Sequence, residues 1–119
     1  MADNDIKIGI IGLGYVGLPL AVAFGEKFKT IGFDIDSERI LELQKKNDRT
    51  NELSQSQIEQ AHFLEVSDEE SSIKDCNVYI LTVPTPIDNL NQPDLRVLGS
   101  ATELVARNIS NQDIIIFES

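Results

Sequence analysis

The stretch from Ile6 to Phe24 constrains this chain most, because it joins an apolar run, a glycine cluster and a helix-like pattern. Its first part, Ile6 to Ile11, is apolar except for Lys7, which is typical of a strand buried on both faces of a parallel sheet. Small apolar residues at helical spacing follow the glycines and predict a helix packed closely on that sheet. The stretch therefore predicts a strand, a tight turn and a helix.

The turn has the spacing G-x-G-x-x-G, and each glycine has its own physical role. Gly12 lets the chain turn sharply, a side chain at Gly14 would stand where a diphosphate approaches, and Gly17 lets the helix lie close to the strand. The N–H groups and the dipole at the helix start attract a phosphate without any lysine. The predicted diphosphate site consists of Gly12, Leu13, Gly14, Tyr15, Val16 and Gly17.

An acidic residue is expected about 20 positions further on, at the end of the second strand. Lys29–Phe33 has the pattern of that strand, and Asp34 follows it. The Asp34 carboxylate could accept hydrogen bonds from both hydroxyls of an adenosine ribose, and it would repel a 2′-phosphate by roughly 4 kcal/mol at about 4 Å. Arg39 either flanks the adenine or lies on an exposed helix face. We therefore expect the cofactor to be NAD rather than NADP.

Three further strands are predicted, at His62–Val66, Val78–Val83 and Asp113–Phe117. Mostly helix-sized segments separate the strands, which favours right-handed crossovers and a parallel sheet. The sequence thus predicts an α/β fold, a Rossmann-type doubly wound parallel sheet in the order 3-2-1-4-5. We expect residues 1–119 to form a single NAD-binding domain.

Local patterns between the strands predict caps and connections. Asp36 or Ser37 is expected to cap a second helix, whose apolar stripe comprises Ile40, Leu41 and Leu43. The polar segment Asn47–Ser54 is interpreted as a solvated loop. Ser67 is expected to cap a further helix, and the acidic residues after it favour a helix start rather than a metal site.

Composition limits the possible partners. A net charge of −10 argues against nucleic acid or an anionic membrane. No segment approaches the apolar length of a membrane span, and the start lacks the pattern of a signal peptide. A single cysteine, Cys76, excludes an internal disulfide and suits the cytoplasm. At 119 residues the chain is long enough for one domain but short for a complete dehydrogenase.

Four segments carry a family resemblance: Lys7–Pro19 (KIGIIGLGYVGLP), Gly32–Asp34, Val83–Pro86 (VPTP) and Gln92–Leu95 (QPDL). Together they resemble the N-terminal domain of the UDP-glucose/GDP-mannose dehydrogenases. Within that family, Ile80–Ile87 and Phe117–Ser119 are most similar to the UDP-N-acetylhexosamine (GlcNAc/GalNAc) 6-dehydrogenases of surface-polysaccharide synthesis, the Vi-antigen type.

The resemblance implies a parent enzyme that oxidises the C6 alcohol of a UDP-sugar to a carboxylate. Two NAD molecules act in succession, through an aldehyde and a thiohemiacetal on a cysteine. The implied cofactor contacts are Arg39 at the adenosine end, Val83, Pro84, Thr85 and Pro86 on the nicotinamide side, and Ser119 at the active-site edge. The resemblance places the family's catalytic residues in later segments, so it implies that this chain is the N-terminal part of a longer enzyme. Cys76 does not match the nucleophile's motif. We therefore assign no catalytic residue here, and we expect the parent to be a homo-oligomer.

Two other classes share parts of this pattern. A nucleotide-sensing Rossmann module without catalysis needs the same glycine turn and ribose acid, and it remains the alternative. A methyltransferase that uses S-adenosylmethionine also has a glycine loop and an acidic strand end, but the three-glycine spacing and the VPTP segment favour the dehydrogenase. A P-loop nucleoside triphosphatase is excluded because G-x-x-x-x-G-K-[ST] does not occur.

Overall fold

The computed structural model describes residues 5–118. In chain order the elements are β1 (Lys7–Ile11), α1 (Gly17–Gly25), β2 (Lys29–Phe33), α2 (Ser37–Gln44), α3 (Gln55–Gln60), β3 (Leu64–Ser67), a 3₁₀ helix (Glu70–Ile73), β4 (Val78–Leu81), α4 (Arg96–Asn108) and β5 (Ile114–Phe117). Each predicted strand is present, with ends that differ from the prediction by at most two residues.

The five strands form one parallel sheet in the order β3-β2-β1-β4-β5, which confirms the predicted order. β1 is central and pairs with β2 on one side and β4 on the other. The direction of the chain across the sheet therefore reverses at β1. In open α/β sheets, ligands bind beyond the carboxyl ends of the strands at such a reversal.

Helices pack on both faces of the sheet around its central strand β1. Ile10 packs in a core with residues of α1, α2 and α3, whereas the next residue, Ile11, packs in a second core with residues of α4. Successive side chains of a strand lie on opposite faces, so both positions have to be apolar. This explains the continuous apolar run that the sequence shows in β1.

The second helix begins as predicted, but its buried face is different. Asp36 caps α2, because its Oδ1 accepts hydrogen bonds from the N–H groups of Glu38 (3.1 Å) and Arg39 (3.3 Å). Leu41 is 57% exposed, so its place in the apolar stripe is wrong. It lies roughly 160° around the helix from Leu43, and Arg39 occupies the buried face instead.

The predicted helix cap at Ser67 is also wrong. Ser67 is the last residue of β3, and its hydroxyl accepts a hydrogen bond from the Glu69 N–H at 3.0 Å. A 3₁₀ helix of four residues follows, and its N-terminal flanking residue makes no side-chain cap. The acidic residues after Ser67 thus stand at a short turn rather than at the start of an α-helix.

Cys76 is a buried thiol that packs in the second core. Burial raises the pKa of the Cys76 thiol to about 11, and the Asp75 carboxylate adds to the shift. The folded chain therefore disfavours the thiolate.

This shift predicts a loss of stability in alkali. In the unfolded chain the thiol ionises near its ordinary pKa of 9.0, but in the folded chain only near 11, so the free energy of unfolding should fall as pH rises through that interval. Replacing Cys76 with alanine should flatten the fall between those two pH values. Urea unfolding of both chains at a series of pH values measures the slopes. Parallel slopes would assign the alkaline loss to other groups, such as Tyr79, whose pKa burial raises to about 12.

Candidate dinucleotide-binding site

The glycine turn connects β1 to α1 and has the geometry that its three glycines predict. Gly12 has a backbone φ of +105°, which residues with a side chain rarely adopt. Its N–H donates to the Phe33 carbonyl oxygen at 2.8 Å. A methyl group at Gly17 would overlap the Gly12 carbonyl oxygen and the Thr82 hydroxyl. Gly14, in contrast, has no atom within 4 Å of the position of a Cβ. Gly12 and Gly17 thus shape the turn, whereas Gly14 keeps its outer surface open.

The start of α1 is left open to an anion. Val16 precedes the helix and makes no side-chain cap, and no acidic residue stands in the first turn. The side chain of Tyr15 is 68% exposed beside the turn. Unpaired N–H groups at a helix start carry partial positive charge, so this end of α1 favours a phosphate group.

Asp34 lies directly after β2, as predicted, and it also contacts the glycine turn. Its Oδ2 accepts a hydrogen bond from the Leu13 N–H at 2.9 Å, and its Oδ1 accepts one from the Asp36 N–H at 3.0 Å. The side chain remains partly exposed. Each carboxylate oxygen has a further lone pair, so Asp34 can still accept hydrogen bonds from a ligand.

Arg39 is buried, and the alternative that placed it on an exposed helix face is wrong. The residue is 3% exposed, and its Nε donates to the Leu13 carbonyl oxygen at 2.8 Å. Its Nη1 donates to Glu42 at 3.0 Å and to Asp48 at 2.9 Å. Within the part of the chain that the structure describes, Nη2 is buried without an acceptor. Arg39 therefore holds the inner side of the glycine turn.

The interpretation of Asn47–Ser54 as a solvated loop is wrong for one residue. The Asp48 side chain is fully buried against Arg39, although most of its neighbours in the segment are exposed. Arg49 lies at the surface, where it bridges Asp36 at 3.0 Å and Glu42 at 2.9 Å. The hydrogen bond from the backbone N–H of Arg39 lowers the pKa of the Asp36 carboxyl most, and the hydrogen bond from the Arg49 guanidinium lowers it further. This helix cap is therefore charged at neutral pH.

The segment after β4 forms the opposite side of the turn. The Thr82 hydroxyl donates to the Gly12 carbonyl oxygen at 2.7 Å, which ties the end of β4 to the turn. Val83 and Pro84 line the cleft described below, whereas Thr85 and Pro86 are exposed beyond it. The predicted contact at Ser119 lies outside the described residues.

These parts surround one cleft of about 610 Å³ at the carboxyl ends of the strands. It is lined by Gly12, Leu13, Gly14 and Tyr15 of the turn, together with Asp34 and Arg39, whereas Val16 and Gly17 do not line it. The sequence did not predict a third wall, which α4 supplies through Val97, Ser100, Ala101 and Leu104. Their three- and four-residue spacing marks one helix face, but the same spacing also describes an ordinary core helix.

Residues 5–118 contain neither a cluster of metal ligands nor a membrane-spanning helix. No group of three or more histidine, cysteine, aspartate or glutamate side chains is arranged to hold a metal ion there. No helix in that range has the length and apolarity to cross a membrane.

A parallel sheet with a glycine turn at its reversal point and an acid after β2 defines a dinucleotide-binding Rossmann domain. Residues 6–119 match the family model described as the NAD binding domain of the UDP-glucose/GDP-mannose dehydrogenase family. The chain belongs to that family, and NAD is the cofactor of this domain.

Comparison with individual proteins agrees with this family assignment. The chain is 47% identical to a UDP-N-acetyl-D-glucosamine 6-dehydrogenase of Salmonella typhi, over 98% of this chain and 27% of that protein. A protein with the same name from Pseudomonas aeruginosa is 45% identical, over 98% of this chain and 28% of its own length. Among solved structures, a UDP-D-ManNAc dehydrogenase from Pyrococcus horikoshii superposes with a TM-score of 0.90 at 31% identity, covering 96% of this chain and 28% of that one.

The chain thus spans little more than a quarter of the length of the curated relatives it matches. Every one of these three relatives is named as a dehydrogenase of a UDP-sugar. The alternative of a nucleotide-sensing module without catalysis finds no support among them.

Proposed function

We propose that this chain is the cofactor-binding part of an NAD-dependent UDP-sugar 6-dehydrogenase. The enzyme would oxidise the C6 alcohol of a UDP-N-acetylhexosamine to a uronate for surface-polysaccharide synthesis. The observation that supports the NAD site is the hydrogen bond from the Leu13 N–H to the Asp34 carboxylate at 2.9 Å. It joins the residue proposed to bind the ribose to the glycine turn proposed to bind the diphosphate. The names of the relatives in Salmonella typhi and Pseudomonas aeruginosa support the choice of sugar.

Each cofactor contact has a candidate residue in the cleft. When bound, NAD supplies the hydride acceptor for each of the two oxidations. We assign the diphosphate to the open surface of Gly14 and the start of α1, and the adenosine ribose to Asp34, whose oxygens retain free lone pairs. Arg39 forms part of the wall on the adenosine side. Val83 and Pro84 are proposed to face the nicotinamide, with Thr85, Pro86 and Ser119 further along that side.

The remaining steps are proposed to belong to segments outside this chain. The family resemblance assigns proton transfer and the covalent cysteine intermediate to later segments, and Cys76 is buried with a raised pKa. By itself the chain should therefore bind NAD without turning over a UDP-sugar. A cytoplasmic location and a homo-oligomeric parent are part of the same proposal, the first because a single cysteine suits a reducing compartment.

Cofactor preference tests this proposal. We expect the chain to bind NAD at least about tenfold more tightly than NADP, because the Asp34 carboxylate repels a 2′-phosphate. Replacing Asp34 with asparagine should weaken NAD binding by about 1–3 kcal/mol through the loss of charge-assisted hydrogen bonds. The same replacement should reduce the preference for NAD over NADP. Isothermal titration calorimetry of both chains with both cofactors measures this. Equal or reversed preference in the unaltered chain would contradict the role of Asp34.

A further inference from the structure

Asp48 is the most completely satisfied carboxylate near the cleft, although it lies in a polar loop. Its Oδ1 accepts hydrogen bonds from Arg39 Nη1 at 2.9 Å, from the Thr50 N–H at 3.0 Å and from the Thr50 hydroxyl at 2.7 Å. Its Oδ2 accepts from the N–H groups of Glu52 at 3.0 Å and Leu53 at 3.1 Å. The Asp48 carboxylate thus organises its own loop by accepting hydrogen bonds from it, and its Oδ1 also contacts Arg39.

Arg39 carries this contact to the glycine turn. Its Nε donates to the Leu13 carbonyl oxygen at 2.8 Å, and this hydrogen bond is buried. A guanidinium has a rigid, planar set of donors, so fixing Nη1 on Asp48 also fixes the direction of the Nε–H bond. The position of the Leu13 carbonyl therefore depends on the position of the Asp48 carboxylate.

The planarity of the peptide bond extends the effect by one residue. The Leu13 carbonyl and the Gly14 N–H belong to one trans peptide group, so they point in opposite directions. When Arg39 holds the carbonyl inward, the Gly14 N–H has to point outward. Gly14 is exposed, lines the cleft and has open space where a Cβ would stand, so this N–H is directed toward the proposed diphosphate position.

The Asp48 carboxyl is charged at neutral pH. Burial raises the pKa of the Asp48 carboxyl, but the hydrogen bonds from Thr50 and Arg39 outweigh burial and leave the pKa below its ordinary value. Removing one partner of a buried ion pair leaves the other charge uncompensated, so the geometry of Arg39 should depend strongly on Asp48.

We propose that Asp48 is a positioning residue of the dinucleotide site, which acts through Arg39 to direct the Gly14 N–H at the diphosphate. This inference rests on the proposed NAD-binding function. Asp48 itself does not line the cleft. It should therefore affect cofactor binding only through the shape of the turn.

The test compares Asp48→Asn with a matched control, Glu42→Gln. Glu42 contacts the same Arg39 Nη1 at 3.0 Å, but its side chain is 17% exposed and lies outside the cleft. Asp48→Asn should weaken the binding of both NAD and ADP-ribose by at least about tenfold in calorimetry, and it should shift the Gly14 amide resonance in a ¹⁵N NMR spectrum. Glu42→Gln should weaken NAD binding clearly less than Asp48→Asn does, because Glu42 is partly exposed, whereas Asp48 is buried and also accepts hydrogen bonds from its own loop.

A second variant keeps the test decisive where Asp48→Asn lowers stability. Arg39→Lys retains the positive charge beside Asp48 but cannot bridge Asp48 and Leu13 with one planar group. It should reproduce the loss of affinity, and the double variant should be no weaker than either single variant, since both interrupt one connection. All titrations are made on chains that urea unfolding shows to be folded.

The outcomes separate this inference from the function on which it rests. If the unaltered chain binds NAD, but folded Asp48→Asn or Arg39→Lys binds with unchanged affinity and an unshifted Gly14 resonance, the positioning role is overturned. An equal loss of NAD affinity in Glu42→Gln would also overturn it, because any negative charge next to Arg39 would then have the same effect as Asp48. Failure of the unaltered chain to bind NAD would overturn the proposed function and this inference with it.

Discussion

Replacing Gly17 with alanine should lower the free energy of unfolding by about 3–5 kcal/mol, the range of severe core substitutions. The added methyl group would overlap the Gly12 carbonyl oxygen and the Thr82 hydroxyl. Both neighbours are fixed, because Thr82 donates to Gly12 at 2.7 Å and the backbone of the turn is hydrogen-bonded to β2. The helix would have to move away from the sheet, and its buried apolar contacts would loosen.

Urea unfolding followed by circular dichroism measures this loss, which should lower the midpoint by roughly 2 M. Gly99→Ala is the matched control, because Gly99 lies inside α4 and has no atom within 4 Å of its Cβ position. That variant should gain about 0.5–1 kcal/mol from the better helix propensity of alanine. Similar stabilities for the two variants would show that α1 does not need to approach the turn so closely.

Replacing Gly14 with alanine should have the opposite profile, with stability retained and NAD affinity reduced by roughly a hundredfold. Gly14 has no left-handed φ, and its Cβ would meet no atom of the protein within 4 Å. The methyl group would instead occupy the surface where we place the diphosphate. Three glycines of one turn thus separate into residues that shape it and one that leaves room for the ligand.

Calorimetry with NAD and with AMP shows whether the added methyl group interferes with the diphosphate. Gly14→Ala should weaken NAD strongly and AMP less, because AMP has a single phosphate that can shift away from the methyl group. Gly99→Ala again serves as the control and should leave NAD affinity unchanged, since Gly99 does not line the cleft. Unchanged NAD affinity in Gly14→Ala would mean that the diphosphate lies elsewhere.

The strands and the phosphate turn were predictable because their signals are local. A run such as Val78–Leu81 can be buried on both faces only in a covered parallel sheet, and the spacing of Gly12, Gly14 and Gly17 has a steric reason at each position. Asp34 was predictable for the same reason, since its distance from the turn follows from the length of one helix and one strand. These features need no knowledge of distant contacts.

The buried pair of Arg39 and Asp48 was not predicted, because each charge alone favours the surface. Arg39 shares a helix face with Ile40 and Leu43, and this spacing was the one available signal that it is buried. Asp48 precedes Thr50 by two positions, a pattern typical of a local turn, but nothing in the loop indicates its partner nine residues earlier. A contact between a polar group of a helix and one of the following loop produces no periodic pattern in the sequence.

The double engagement of Asp34 has a consequence for redesign toward NADP. The same carboxylate that is proposed to meet the ribose also anchors the Leu13 N–H and the Asp36 N–H. A small neutral residue there would remove the repulsion of a 2′-phosphate, but it would also release the turn and the start of α2. A successful exchange of cofactor therefore requires a second substitution that supplies a new acceptor for the Leu13 N–H.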